Sequence, residues 1–447
     1  MNNGLPKYEL YKDSGVEWLG EVRAYWKIKK LKFLGNIYAG INGKKGDDFS
    51  KEYSEGLKFF IPFTNICNNL KIDENQYQYV KIDEKENQNR VLKNDILFLM
   101  SSETIEDIAK NSIYLGSDKE LYLNSFCKGF RISSSHVNPQ YINYLFLSGS
   151  YRSYFSLVGR GFTRINLKQE FINDVYTLIP TLHEQTLIAQ FLDHKTALID
   201  QAIGIKEKQI ELLKERRQIL IHKAVTRGLN PDVKMKNSGV EWIGEIPEGW
   251  EVKKVKYLLK ERNERSKNGS EPLFMMSQIH GLVVRSDFHD KAEVAQSSEG
   301  NKIVYKEDLV FNKLKAHLGV FFKSTIEFAG IVSPDYAVYY SNGTIKDLKF
   351  LELLFRNPEY IKEFICRATG IVEGLIRLYT ADLFSIHVAV PPIQEQLNIL
   401  NYIETYTSKI TDATLLKEQE IEKLKEYKAT LINSAVTGKI KVCEPIN

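Results

Sequence analysis

No apolar run in the chain approaches the roughly 18 residues that a membrane-spanning helix needs. The longest are short and strand-like, such as Ile96-Leu97-Phe98-Leu99-Met100. The opening residues, Met1-Asn-Asn-Gly-Leu-Pro-Lys7, hold no apolar core for a signal peptide. Cysteine is scarce: Cys67, Cys127, Cys366 and Cys443 lie far apart, with no Cys-x-x-Cys and no Cys/His pair at metal spacing. Isolated buried thiols in a cytoplasmic protein are the expectation.

Catalytic signatures are missing as well. No G-x-x-x-x-G-K-[ST] loop is present to cradle a nucleotide phosphate, and no glycine-rich strand-to-helix fingerprint for a nucleotide cofactor. The nearest approach to an adenine-methyltransferase tetrapeptide, Asn357-Pro-Glu-Tyr360, lacks the second proline and reads as a helix cap. Pro334-Asp335 has no Glu-x-Lys after it to complete a nuclease metal site and reads as a turn at a strand end. The eight histidines, His280 and His317 among them, are scattered away from metal or triad spacing. The sequence offers no catalytic residues, no metal ligands and no cofactor site.

What is present is a duplication. At 447 residues the chain is long enough for two to four folding units, and its net charge of +4 is only mildly basic. Lys12-Asp-Ser-Gly-Val-Glu-Trp-Leu-Gly-Glu-Val22 returns as Lys236-Asn-Ser-Gly-Val-Glu-Trp-Ile-Gly-Glu-Ile246, and 13 of the 23 positions from Lys12 to Leu34 match without a gap. A second repeat closes each half: Pro180-Thr-Leu-His-Glu-Gln185 pairs with Pro391-Pro-Ile-Gln-Glu-Gln396. That register runs on to Ala224-Val-Thr226 and Ala435-Val-Thr437. Between the repeated ends little is shared beyond Lys93-Asn-Asp-Ile-Leu-Phe98 and Lys306-Glu-Asp-Leu-Val-Phe311. Framework is duplicated while content diverges.

Each repeated tail predicts a long amphipathic helix. Ile199, Lys206, Leu213 and Leu220 recur every seven residues, as do Ile203, Ile210, Arg217 and Ala224; the second copy gives Ile410, Lys417, Leu424 and Leu431, with Thr414, Ile421, Lys428 and Ala435. Two such columns make the seam of a coiled coil, and Gly228 and Gly438 stand where a helix would end. The two stripes can cover each other in an antiparallel pair, or each can pack on its own domain. The regions between, about 25–180 and 250–390, read as α+β, with strands such as Lys58–Pro62, Asp95–Leu99 and Tyr336–Tyr340. Helices start at Asn138-Pro139 and Asn357-Pro358.

Two Gly-Val-Glu-Trp-Leu/Ile-Gly-Glu heads, two Pro-x-x-x-Glu-Gln openings and two helices ending Ala-Val-Thr resemble the specificity subunit of type I restriction–modification enzymes. Gly330-Ile-Val-Ser-Pro-Asp-Tyr336 and Phe311-Asn-Lys-Leu-Lys315 resemble stretches of that family's recognition domains. The resemblance implies two α+β target-recognition domains (1–180 and 236–391) and two long antiparallel coiled-coil helices (181–235 and 392–447). It implies a non-catalytic protein that reads one half of a split DNA site with each domain. It also implies two methyltransferase subunits bound to the helices and two motor-nuclease subunits in the full complex. S-adenosylmethionine, ATP and Mg would sit on those partners, with no cofactor here. A coiled-coil scaffold that binds protein alone is the competing reading.

Base edges are read by Arg, Lys, Asn and Gln, and phosphates are held by Lys and Arg. In the first domain the candidates are Asn42, Lys44 and Lys45 in the Gly40–Gly46 loop, then Asn65, Asn68 and Asn69, and Arg160, Thr163 and Arg164. In the second they are Arg262, Asn263, Arg265 and Lys267, then Ser277, Gln278 and His280, with Lys313, Lys315, Arg367 and Arg377. Trp18 and Trp242, in the repeated frame, are assigned to packing or partner contact.

Overall fold

The computed structural model describes residues 6–83, 85–117, 120–288, 298–369 and 377–442. They form two compact units: Met1–Lys206 with Glu418–Asn447, and Glu207–Lys417. Each unit holds one globular α+β domain, the start of one long helix and the end of the other.

Both domains are built on the same four-stranded antiparallel sheet. In the first its order is Asn111–Ile113, Ile96–Leu99, Cys127–Ile132, Gly35–Ala39. In the second, Phe321–Lys323, Leu309–Asn312, Tyr336–Ser341 and Leu259–Glu261 repeat that order. The inner strand Ile96–Leu99 is apolar throughout, and its counterpart is apolar over Leu309–Phe311, because both faces of each are covered. Ile96 and Phe98 point into the main core, which includes Ile188, Leu192 and Leu431 of the long helices. Leu97 and Leu99 point the other way, into a separate cluster with Ile61, Leu121 and Leu123. Leu309 and Phe311 against Val310 divide likewise. The period of two along a strand thus turns a continuous apolar run into two half-cores. This is why Lys93–Phe98 and Lys306–Phe311 survive as the one shared motif between the repeated ends.

Outside this sheet the domains part company. The first adds a mixed sheet, Leu121–Leu123, Leu57–Ile61, Gln78–Lys81 and Phe49–Ser50, with its first pair parallel. The second adds a hairpin, Phe274–Ser277 with Gly281–Val284, and a separate antiparallel pair, Lys302–Val304 with Gly330–Val332.

The repeated frame has clear packing reasons. Trp18 stacks on Tyr154 at 4.6 Å between ring centroids and meets Tyr151 edge-on, and Trp242 meets Tyr360 edge-on. Asn138 and Asn357 cap their helices as expected, each accepting backbone amides two residues on; Asn357-Pro-Glu-Tyr360 is a cap. The glutamine of Pro-x-x-x-Glu-Gln is buried in both copies. Gln185 donates to the carbonyls of Pro180 (3.0 Å) and His136 (3.0 Å) and accepts from the Asn138 amide (2.8 Å). Gln396 donates to Pro391 (2.9 Å) and Thr344 (3.1 Å) and accepts from Lys346 (3.0 Å). Each glutamine stitches a long helix to its domain. Gln185→Ala should lower stability by about 2–4 kcal/mol in denaturant unfolding, since each buried group left unpaired costs about 1–3 kcal/mol. Gln185→Glu should be no better, because a carboxylate cannot donate to two carbonyls.

The long helices span Leu182–Arg227 and Ile393–Val436, 46 and 44 residues. Gly228 and Gly438 follow them in the left-handed region, at φ +72° and +73°. In the first unit the two helices run antiparallel, because Lys428 pairs with Asp200 (2.7 Å) and Lys206 with Glu420 (2.6 Å). In the second, Leu220, Ile221, Ala224 and Val225 share a core with Ile399 and Ile403. Buried Ile199, Ile210, Ile421 and Leu431 follow the expected seam, while Arg217 stays exposed.

The cysteines depart from expectation. Cys127 is buried and Cys67 half-buried, but Cys366 is exposed, and Cys443 lies outside the described residues. Helix Pro358–Arg367 buries Tyr360 and Phe364, so position 366, about 200° round from Phe364, faces away from them.

Candidate nucleic-acid interface

In the first domain three segments meet around the turn Asn124–Cys127. Gly40 donates its amide to Cys127 O (3.2 Å) and Ile41 donates to Leu123 O (2.7 Å). A side chain at Gly40 would collide with Asn124 O, 2.1 Å from the built Cβ position, so only glycine allows this approach. Met100 donates to Phe126 O (2.9 Å) and Leu167 to Met100 O (2.9 Å), while Ile165–Asn166 pairs with Ser101–Ser102. Arg160 and Asn166 exchange backbone hydrogen bonds at 3.1 and 2.8 Å, closing an exposed hairpin over residues 161–165. Arg164 lies over the Phe126 ring at 4.4 Å.

The second domain repeats this junction with other side chains. Its turn Ser333–Tyr336 replaces Asn124–Cys127, each closed by the same backbone bond (2.9 and 3.0 Å), and Leu378 donates to Lys313 O (3.1 Å) as Leu167 does to Met100 O. Thr369 and Arg377 form the closing bridge. Arg377 pairs with Asp335 of the turn (3.0 Å). Burial, with Lys302 and Arg377 close by, pulls the Lys313 ammonium below the ordinary lysine value. Glu261 and Asp335 oppose that shift, paired with Lys302 and Arg377 in turn, and a partly desolvated ammonium beside two such pairs gains from an anionic ligand. The structure therefore brings Arg160 and Arg164, with the chain just before Asn42, around one turn, and Lys313 and Arg377 around its counterpart, while Thr163 and Lys315 are exposed.

Other candidates are held in bonds of the fold. Lys44 pairs with Glu86 and holds that carboxyl down at about 2. Gln88 clamps both backbone groups of Asn42 (3.0 and 2.9 Å), and the Lys45 amide donates to Asp48. Asn65 is fully buried and grips the backbone of Asp73; Asn69 donates to Asn65 and Gln76. Asn68, Asn263 and Lys267 are exposed. Arg265 donates to Gly300 O (2.7 Å), and Arg367 binds Glu363 and Ser385. Ser277 accepts amides from Ile279 and His280 in a hairpin tip with Gln278 exposed, and the His280 ring lies 4.9 Å from Phe288. The His317 side chain lies outside the described residues.

Arg262 shows a deeper reason. Its guanidinium holds buried Asp308 through two bonds (2.8 and 2.9 Å) between the rings of Tyr305 and Tyr340. In the first domain Arg131 holds buried Asp95 through two bonds (3.0 and 2.7 Å), with Tyr38 over it and also donating to Asp95 (2.6 Å). Strand register makes Arg262 the counterpart of Tyr38, and Tyr340 that of Arg131. Arginine and tyrosine have exchanged strands around a common aspartate.

Phe126 carries no signal in the linear chain, whereas Phe162 sits among the candidates Arg160, Thr163 and Arg164, in Gly159-Arg-Gly-Phe-Thr-Arg164, where glycine allows a close backbone approach. Among the described residues no group of three or more His, Cys, Asp or Glu could hold a metal ion, and no helix is long and apolar enough to cross a membrane.

Two diverged surfaces on a duplicated frame define a protein of recognition. Residues 24–215 match the family described as the type I restriction modification DNA specificity domain. Over 440 residues the chain is 27% identical to a Methanocaldococcus jannaschii protein assigned as the MjaX type I restriction enzyme specificity subunit, covering 95% of this chain and 96% of that one. It is 23% identical over 405 residues to the EcoKI specificity subunit of Escherichia coli K12, covering 86% and 82%. The fold matches the HsdS subunit from Thermoanaerobacter tengcongensis at 13% identity, with a TM-score of 0.53 over 94% of this chain and 98% of that chain. Residues 24–215 thus match the specificity domain of type I restriction–modification enzymes, and the chain is similar over nearly its whole length to their specificity subunits.

Proposed function

We propose that each domain reads one half of a split, asymmetric DNA site and aims partner subunits at it, with no chemistry performed by this chain. The observation that carries this is the junction described above: the same backbone bonds present Phe126 and Arg164 in one domain, but Lys313, Asp335 and Arg377 in the other. Identical surfaces would suit a palindrome; different ones suit two unlike half-sites. Two methyltransferase subunits bind along the long helices and two motor-nuclease subunits join the full complex. S-adenosylmethionine, ATP and Mg belong to those partners, and the assembly works in the cytoplasm.

The test is a modified-base map of DNA from cells carrying this chain and its methyltransferase, with and without this gene. Adenine methylation at one split motif should vanish with the gene; a motif that persists would refute the reading. Arg377→Ala should relax one half of that motif and leave the other intact, at about 1–3 kcal/mol of discrimination. Binding should weaken with salt at a log–log slope near −0.9 per phosphate contacted. A zero slope would favour a scaffold that binds protein alone.

A further inference from the structure

Phe162 is the most exposed large apolar side chain among the described residues, at 103% of its reference area. Its position is built. The Arg160–Asn166 backbone bonds close the hairpin, and the Arg160 guanidinium ties it to the preceding helix through Leu157 O and Gly159 O (2.8 Å to the latter). Gly161 turns at φ +149°, where any Cβ would strike Arg164 O at 1.9 Å. Arg164 in turn rests on Phe126, itself 39% exposed. Within the hairpin and its flanks, Gly159 to Leu167, the charged residues are Arg160 and Arg164, with Lys168 and Glu170 beyond. An aromatic ring is thus held out in water by a braced hairpin that carries an arginine two residues to either side of it, beside the turn that Arg164 covers.

We propose that Phe162 is a wedge: it enters double-stranded DNA at the half-site read by the first domain and unstacks one base step. The proposal rests on the DNA-reading function above. Apolar side chains inserted between base pairs part them and kink the duplex, while flanking cations hold the phosphates on either side. The arrangement supplies both elements. A ring meant for a protein partner needs no arginine on either side of it in the hairpin. A ring meant for the fold would be covered.

The experiment uses the full chain assembled with its methyltransferase subunits and duplexes carrying 2-aminopurine at successive steps of the half-site, the methylated adenine excepted. Wild-type protein should raise the fluorescence at one step several-fold. Phe162→Ala should return that signal to the level of free duplex and weaken binding about tenfold, as loss of one base–aromatic stack does. The recognised motif should stay the same, and Phe162→Trp should keep the signal. Full fluorescence with Phe162→Ala overturns the wedge while the methylation map leaves the reading function standing. Weaker assembly with the methyltransferase in the absence of DNA would also overturn it, because the ring then docks protein. Loss of the motif from the map of wild-type cells would instead sink the reading function, and the wedge with it.

Discussion

Arg262→Leu should destabilise the second domain by about 3–5 kcal/mol, although arginine at that place looks like a surface charge in the sequence. Removing one partner of a buried pair leaves the other charge uncompensated, and that is where the large penalty arises. Asp308 is 2% exposed and keeps only the Tyr305 amide (2.9 Å) once the guanidinium is gone. The first domain supplies the control. There Tyr38 stands where Arg262 does, and Arg131 where Tyr340 does. The double variant Arg262→Tyr with Tyr340→Arg should therefore recover most of the lost stability. Denaturant midpoints of the two single variants and the double one form the cycle that measures this. A double variant no better than the sum of its singles would mean that the two triads are not interchangeable.

The pH dependence has a definite sign. Burial is the largest influence on Asp308 and pushes its carboxyl up from the ordinary value, with Arg262 opposing it. Without Arg262 the opposition is lost and the folded-state value rises further. An acid whose folded-state value lies above its unfolded one is best tolerated protonated, so stability is present at low pH and lost as pH rises. The deficit of Arg262→Leu should thus be small at acidic pH and grow toward neutrality. A deficit that does not change with pH would assign it to lost packing against Tyr305 and Tyr340 instead.

These triads mark the boundary of what the sequence reveals. The duplicated frame is legible because its roles are local: an N-cap beside its helix, a glutamine five residues from the proline carbonyl it binds. The inner strand of each sheet is legible through its apolar run. Arg262 is misleading because Asp308 lies 46 residues away and only strand pairing joins them. Asn65 misleads in the same manner: its partner is the backbone of Asp73, and nothing in a linear chain reveals that an amide turns inward. Arg160, Arg164 and Arg377 were readable as polar loop residues. That Arg164 and Arg377 lean on equivalent turns became visible only once Leu167 and Leu378 were seen to bond the same point of the frame. Under the function proposed here, divergence hides equivalence at the positions where the two half-sites differ.

Ile205→Glu with Leu212→Glu should abolish methylation at every motif while leaving the fold intact. Leu198, Ile205, Leu212 and Ile219 are 47%, 54%, 52% and 46% exposed. Each stands one residue ahead of the seam positions Ile199, Lys206, Leu213 and Leu220, about 100° round the helix. The seam accounts for its own column, yet this second apolar column keeps the same seven-residue spacing without a partner in the chain's own core clusters. On the other long helix the matching positions are Lys409, Leu416, Lys423 and Thr430, so the column belongs to one helix and is no by-product of the duplication. Under the function proposed here, a methyltransferase subunit covers it. Docking buries only the exposed half of each side chain, about 1 kcal/mol apiece. A carboxylate set against the apolar partner costs about 1–3 kcal/mol more at each position, so the pair removes roughly 4 kcal/mol of binding at the least, near a thousandfold in affinity. The fold should not notice, because both side chains are half in water already and glutamate is a good helix former. Native mass spectrometry should then find the variant chain without its methyltransferase, with an unfolding midpoint close to wild type. A variant that still assembles and methylates would free this face of the helix from the interface and leave the seam edge as the docking surface.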